Sequence, residues 1–128
     1  MKNNVTLTIA SLLSILFGTF HLTDDIIRGW LSGTVPNLTA VPVCVIWLYG
    51  TLVLAGRRSG YVIILLLSLL GLLVPVLHMK GKGVGGEIAQ SSGGFFFIWT
   101  MIALGVTALL SVILSVRGLW SLRRTTPE

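Results

Sequence analysis

Charge is what this chain has least of. Only 10% of its 128 residues are Asp, Glu, Lys or Arg, against about a quarter in soluble domains. Meanwhile 54% are hydrophobic, more than so short a chain can hide inside a water-facing surface. A soluble globular domain is therefore excluded, and lipid must serve as solvent for much of the surface. Cysteine is nearly missing as well. The single Cys44 rules out an internal disulfide and any paired-thiol metal or redox motif. Its place within an apolar run reads as a small buried hydrophobe. The length leaves no room for a separate soluble module, so residues 1–128 form one membrane domain ending in a short basic tail, 117–128.

A net charge of +5 raises nucleic acid as a partner. The basic residues, however, sit at the ends of apolar runs and are not interleaved with aromatics, so nucleic acid is set aside in favour of membrane-flanking charge. Neither an HExxH zinc motif nor a GxxxxGK[ST] phosphate loop is present.

What the sequence does hold is long apolar runs. Four of them, at about residues 5–22, 38–56, 61–78 and 95–116, contain no Asp, Glu, Lys or Arg. Each approaches the roughly 20 residues that cross a bilayer. The first lacks a small-residue cleavage site after it and reads as a retained helix, not a signal peptide. The expected fold is all-α: four transmembrane helices in an up-down-up-down bundle, the first extended at its outer end by an amphipathic segment. The tight link "RRSG" makes spans two and three antiparallel. Lys2, Arg57, Arg58, Arg117, Arg123 and Arg124 fall on one side, and Arg28, Lys80 and Lys82 on the other. The positive-inside rule then puts both termini in the cytoplasm and loops 23–37 and 79–94 outside the cell membrane.

Helices in lipid associate through close packing of small residues. Ala10, Ser14 and Gly18 recur at four-residue steps on the first span, as do Ala103, Thr107, Ser111 and Ser115 on the fourth. These two seams are expected to face the bundle interior. The third span is leucine-rich nearly all round and is expected to touch lipid, with Pro75 bending its outer end. Trp120 reads as an interfacial anchor and mid-span Trp47 as a helix-packing residue.

The stretch "FHLTDDIIRG" concentrates His21, Asp24, Asp25 and Arg28 at the end of the first span. At helical period these four share one stripe with Ser32, which continues the line of Ser14 and Gly18, while Ile26, Ile27 and Trp30 face elsewhere. Asp24 to Arg28 is an i,i+4 pair in the favoured order. His21 can reach either aspartate, leaving one carboxylate in excess. His78 ends the third span at the same height, so the two imidazoles can meet across the mouth. His21, Asp24, Asp25 and His78 are thus the candidates for catalysis or for binding a transition metal. Haem ligation by His21 and His78 is a weaker variant. The plain structural alternative is an interfacial collar of capping and surface ion pairs. The glycine-rich link after His78 reads as a mobile connector, with Lys80 and Lys82 within reach of the aspartates.

Three functional readings stay open. The first is a non-enzymatic subunit or regulator that docks another membrane protein, or a second copy of itself, in the bilayer. The second is a metal-, haem- or lipophilic-ligand-binding bundle with an extracytoplasmic His/Asp site, acting as an acid/base enzyme in its extreme form. The third is a small transporter acting as an oligomer, disfavoured for a monomer because no charge lies mid-span.

Overall fold

The computed structural model describes residues 2–29, 38–79 and 83–124. Their elements are all helical: α1 (Lys2–Ile27), α2 (Ala40–Leu52), α3 (Arg58–His78), the single turn α4 (Glu87–Gln90) and α5 (Gly94–Arg124). Among the described residues, three helices are long and apolar enough to cross a membrane: Asn4–Ile27, Arg58–His78 and Gly94–Arg124. α2 is apolar but has 13 residues, about 20 Å of helix, short of a hydrocarbon core of about 30 Å.

The run expected at 38–56 is thus trimmed at both ends. A 3₁₀ turn at Leu38 and Thr39 precedes α2, and Pro42 falls in its first turn, where the missing N–H costs nothing. After Leu52 the chain reverses within residues 53–57, with Gly56 at φ +76°, a conformation open to glycine. The hairpin therefore lies one turn earlier than "RRSG", and Gly60 belongs to α3. Its missing Cβ is what lets α3 start there, since a methyl would run into the carbonyl of Leu54 and lie 3.0 Å from that of Gly50.

The other ends also follow local chemistry. Gly29, at φ +71°, closes α1 as a left-handed glycine beyond the C-terminus. α3 continues through Pro75 to His78, where the Met79 N–H bonds the Pro75 carbonyl at 3.1 Å. α5 runs 31 residues, past the expected end of its span. The described part of the basic tail is accordingly helical, with the Arg124 guanidinium 5.0 Å from the Trp120 ring. Trp30 and Ser32 of the amphipathic segment, and Lys80 and Lys82, lie outside the described residues.

α5 is the central element and packs along both α1 and α3, while α2 leans on α3 and more lightly on α1. Ser14, Ser111 and Ser115 are fully buried, and Ala10, Ala103 and Thr107 nearly so. The hydroxyls of Ser14, Thr107 and Ser111 donate back to the carbonyls of Ala10, Ala103 and Thr107 on their own helices. These positions therefore supply small volume and no cross-helix hydrogen bond. Midway along the bundle, a bond between helices comes from Trp47, whose indole N–H donates to Ser11 Oγ at 2.9 Å, with Thr51 Oγ1 2.7 Å from the same oxygen. Leu66, Leu69, Leu73 and Val76 stand exposed on the outer face of α3.

The interhelical contacts define two ends. At one, the Tyr61 hydroxyl donates to Asn4 Oδ1 and its ring lies against Gly118. At the other, His21, His78 and Phe97 meet, their ring centroids 4.9 to 5.7 Å apart. α2 fastens to its neighbours near Thr51 and Gly50, toward the first of these ends.

Candidate functional site

His21 and Asp25 are one helical turn apart on α1, so they project from the same face. His78 comes from the last residue of α3, and Thr100 and Phe97 from the first turns of α5. All of these side chains are buried: His21 is 2% exposed, Asp25 3% and His78 7%. One ligand atom from each of His21, Asp25 and His78 lies within 4.8 Å of the other two. His78 Nε2 is 3.0 Å from Asp25 Oδ2, and His21 Nε2 is 3.8 Å from Asp25 Oδ1.

The neighbours of the two rings decide where their protons sit. His78 Nδ1 lies 2.8 Å from the carbonyl of Val74, which can only accept, so Nδ1 carries the hydrogen. Thr100 Oγ1 lies 2.9 Å from the Phe96 carbonyl and 3.2 Å from that of Phe97. Its only hydrogen is directed there. At 3.2 Å from His21 Nδ1 the hydroxyl is consequently an acceptor, and Nδ1–H of His21 donates to it. With each Nδ1–H directed away, both Nε2 atoms face the carboxylate of Asp25, that of His78 at hydrogen-bond distance from Oδ2. Among the described residues, His21 Nε2 and Asp25 Oδ1 have no hydrogen-bond partner. Leaving these two buried atoms without a partner is costly unless a cation or proton joins them.

This donor set matches a metal centre. Imidazole nitrogen and carboxylate oxygen are ligands for zinc, iron(II) and neighbouring divalent ions. Bound histidines characteristically donate their other N–H to a carbonyl or similar acceptor, which fixes ring and tautomer. Bonds of about 2.0–2.1 Å in tetrahedral geometry place ligand atoms about 3.3 Å apart, and the 3.0 and 3.8 Å from the two imidazoles to Asp25 bracket that spacing. The haem variant does not fit. The two imidazoles stand edge to face, 4.9 Å between centroids, with Asp25 between them and no slot for a macrocycle.

Asp24, the fourth candidate, does not join the group. Its Oδ2 accepts from Arg28 Nε at 2.6 Å, and the same guanidinium donates to Ser91 Oγ at 2.7 Å and to the Ser92 carbonyl. This pair ties the end of α1 to the segment before α5 and is neutral in sum. Asp25 is left as the carboxylate of the centre.

Beside the three ligand atoms opens a cavity of about 710 Å³ between α1, α2 and α3, which the hydropathy pattern did not reveal. Its walls are mainly aliphatic, with Val43, Cys44, Trp47, Leu70 and Leu77 among them, and His21, Asp25 and His78 form its polar end. α2 is fastened toward its Thr51 end, and Thr39, Ala40, Val43 and Cys44 at its other end line the cavity. Cys44 is half-buried on this wall, not in the core. Thr100 and the Val74 carbonyl were also missed, since partners of an imidazole Nδ1 are set by packing and leave no mark in sequence spacing.

No family model matches the chain, and neither the curated proteins nor the solved structures hold a match to it.

Proposed function

We propose that this chain is a multi-span membrane protein that binds a divalent transition metal through His21, Asp25 and His78 at the extracytoplasmic end of an up-down-up-down helix bundle. α2 counts as the fourth, shorter span, and both termini are cytoplasmic. The excess of Lys and Arg near the Asn4–Tyr61 end supports that orientation. One observation carries the metal reading: two imidazoles, each with its Nδ1 hydrogen engaged elsewhere, turn Nε2 to one buried carboxylate, where His21 Nε2 and Asp25 Oδ1 find no hydrogen-bond partner among the described residues. Three protein ligands leave a fourth position open, the pattern of catalytic rather than purely structural metal sites.

The test is metal analysis of the protein extracted from its own membrane, then equilibrated with zinc, cobalt(II) or iron(II). Stoichiometric binding that is lost in His21→Ala, Asp25→Asn and His78→Ala is expected. Wild-type protein that holds none of these metals would overturn the reading. A ligand-free partner subunit, the first reading from sequence, also predicts no metal, so the same measurement separates the two. Orientation is read by labelling in a Cys44→Ser background. Ser92→Cys should react from outside intact cells, and Ser59→Cys only after the membrane is opened.

A further inference from the structure

The cavity beside the ligand atoms is an unusual neighbour for a metal centre, and its chemistry restricts what can enter it. We infer that it takes a single-chain fatty carboxylate, the head occupying the open position of the metal and the aliphatic tail lying between α1, α2 and α3. The inference rests on the metal reading above and names the ligand class of that same site.

Four observations carry it. The first is charge. Asp24 is neutralised by Arg28, so a divalent ion held by Asp25 and two neutral imidazoles leaves one positive charge buried. Buried charge calls for a counter-charge in contact, and one carboxylate supplies it. The second is the head-group chemistry of the walls. The lining residues include neither Lys nor Arg among those described. A phosphate head would bring further oxygens that need such donors, whereas a carboxylate places its oxygens on the metal.

The third is the tail. At about 710 Å³ the cavity falls within the range of small-molecule sites, and away from the two imidazoles its described wall is aliphatic and small side chains with the ring of Trp47. Such a surface suits a flexible hydrocarbon chain better than a flat ring system. From Ile15 to Asp25, both on the wall, α1 rises about 15 Å, so the head and the upper chain fit alongside α1. The fourth is access. Leu70 and Leu77 of the cavity wall are also exposed on the surface of α3, so a lipid-soluble molecule reaches the cavity from within the bilayer.

The experiment uses the full chain in phosphatidylcholine nanodiscs, loaded with cobalt(II), whose visible bands change when a ligand enters its coordination shell. Oleate is titrated in, with methyl oleate and acetate as separate arms. A saturable spectral change with oleate is expected, absent with methyl oleate and at least tenfold weaker with acetate. Leu70→Trp, which crowds the aliphatic wall about two turns of α3 from His78, is expected to weaken the oleate response at least tenfold. The cobalt spectrum without oleate reports whether each variant keeps its centre. Cobalt bound with no response to oleate would overturn this inference and leave the metal reading standing. No cobalt bound would overturn both. An equal response to acetate would reduce the ligand to any small carboxylate, and an equal response to methyl oleate would remove the carboxylate itself; either result overturns the proposal.

Discussion

His78 Nε2 lies 3.0 Å from Asp25 Oδ2 across a sequence separation of 53 residues, and the other oxygen of the same carboxylate faces His21. One side chain on α1 thus confronts one imidazole of its own helix and one of α3. Bringing three polar side chains together at this depth is costly, since each loses its water. The His78–Asp25 contact offsets part of that cost, and a cation shared by all three would offset the rest.

Thr100 is expected to act as a positioning residue for His21. Thr100→Val keeps the volume but removes the oxygen that accepts Nδ1–H. Metal affinity should fall roughly 10- to 100-fold, the usual cost of losing an outer partner of a ligating histidine. Thr100→Ser should restore most of it. Competition with a chromophoric chelator checks both. A purely structural role for Thr100 would shift thermal stability equally in zinc-free protein and leave the chelator competition unchanged.

Acidification should weaken the metal's hold. Both imidazoles must be neutral and Asp25 ionised to ligate, so protons compete with the ion. Zinc is therefore expected to raise the unfolding temperature at neutral pH, because it binds the folded chain alone, and this gain should shrink steadily as pH is lowered. Thermal unfolding followed with and without zinc across a pH series reads the difference. A zinc effect that does not vary with pH contradicts ligation by histidine.

Gly60→Ala should destabilise the hairpin between α2 and α3. The new methyl would press on the carbonyl of Leu54, a backbone atom that cannot swing aside. A loss of about 1–3 kcal/mol is expected, as for other overpacked sites. Gly85→Ala is the control, because its nearest neighbour is the Met79 carbonyl at 3.9 Å. Unfolding in mixed micelles by increasing denaturing detergent compares the two, and equal stabilities would contradict the close approach.

The Ser11–Trp47–Thr51 group should hold α2 to α1. Ser11→Ala removes the acceptor of the Trp47 N–H and the partner of Thr51. Hydrogen bonds between helices in membranes are worth about 0.6 kcal/mol on average and up to about 1.7. A double-mutant cycle of Ser11→Ala with Trp47→Phe is expected to give coupling within that range. Additive effects would mean that the bond contributes nothing.

Much of the fold was legible because hydropathy and helical period are local. Three of the four apolar runs became long helices, and the i,i+4 spacings on α1 paired Asp24 with Arg28 and set His21 beside Asp25. The true length of α2 was not legible. Pro42, Gly56 and Gly60 are all visible in the sequence, but that the chain would turn at 53–57 depends on how closely Leu54 can approach Gly60. Nor did the stripe on α1 say how its two aspartates divide. Arg28 is drawn toward Ser91 and Ser92, a contact across 63 residues, and that pull leaves Asp25 to the histidines.

By itself the sequence pointed to lipid as the solvent, placed the three long apolar helices, and marked the one stripe where ionisable groups collect, because these depend only on composition and on residues a turn or two apart. Only the tertiary structure decided that His78 meets that stripe, that Thr100 and the Val74 carbonyl fix the two imidazoles, and that a short α2 leaves an apolar cavity beside them. Each of these is a distance between helices, set by how side chains from separate parts of the chain fill shared space.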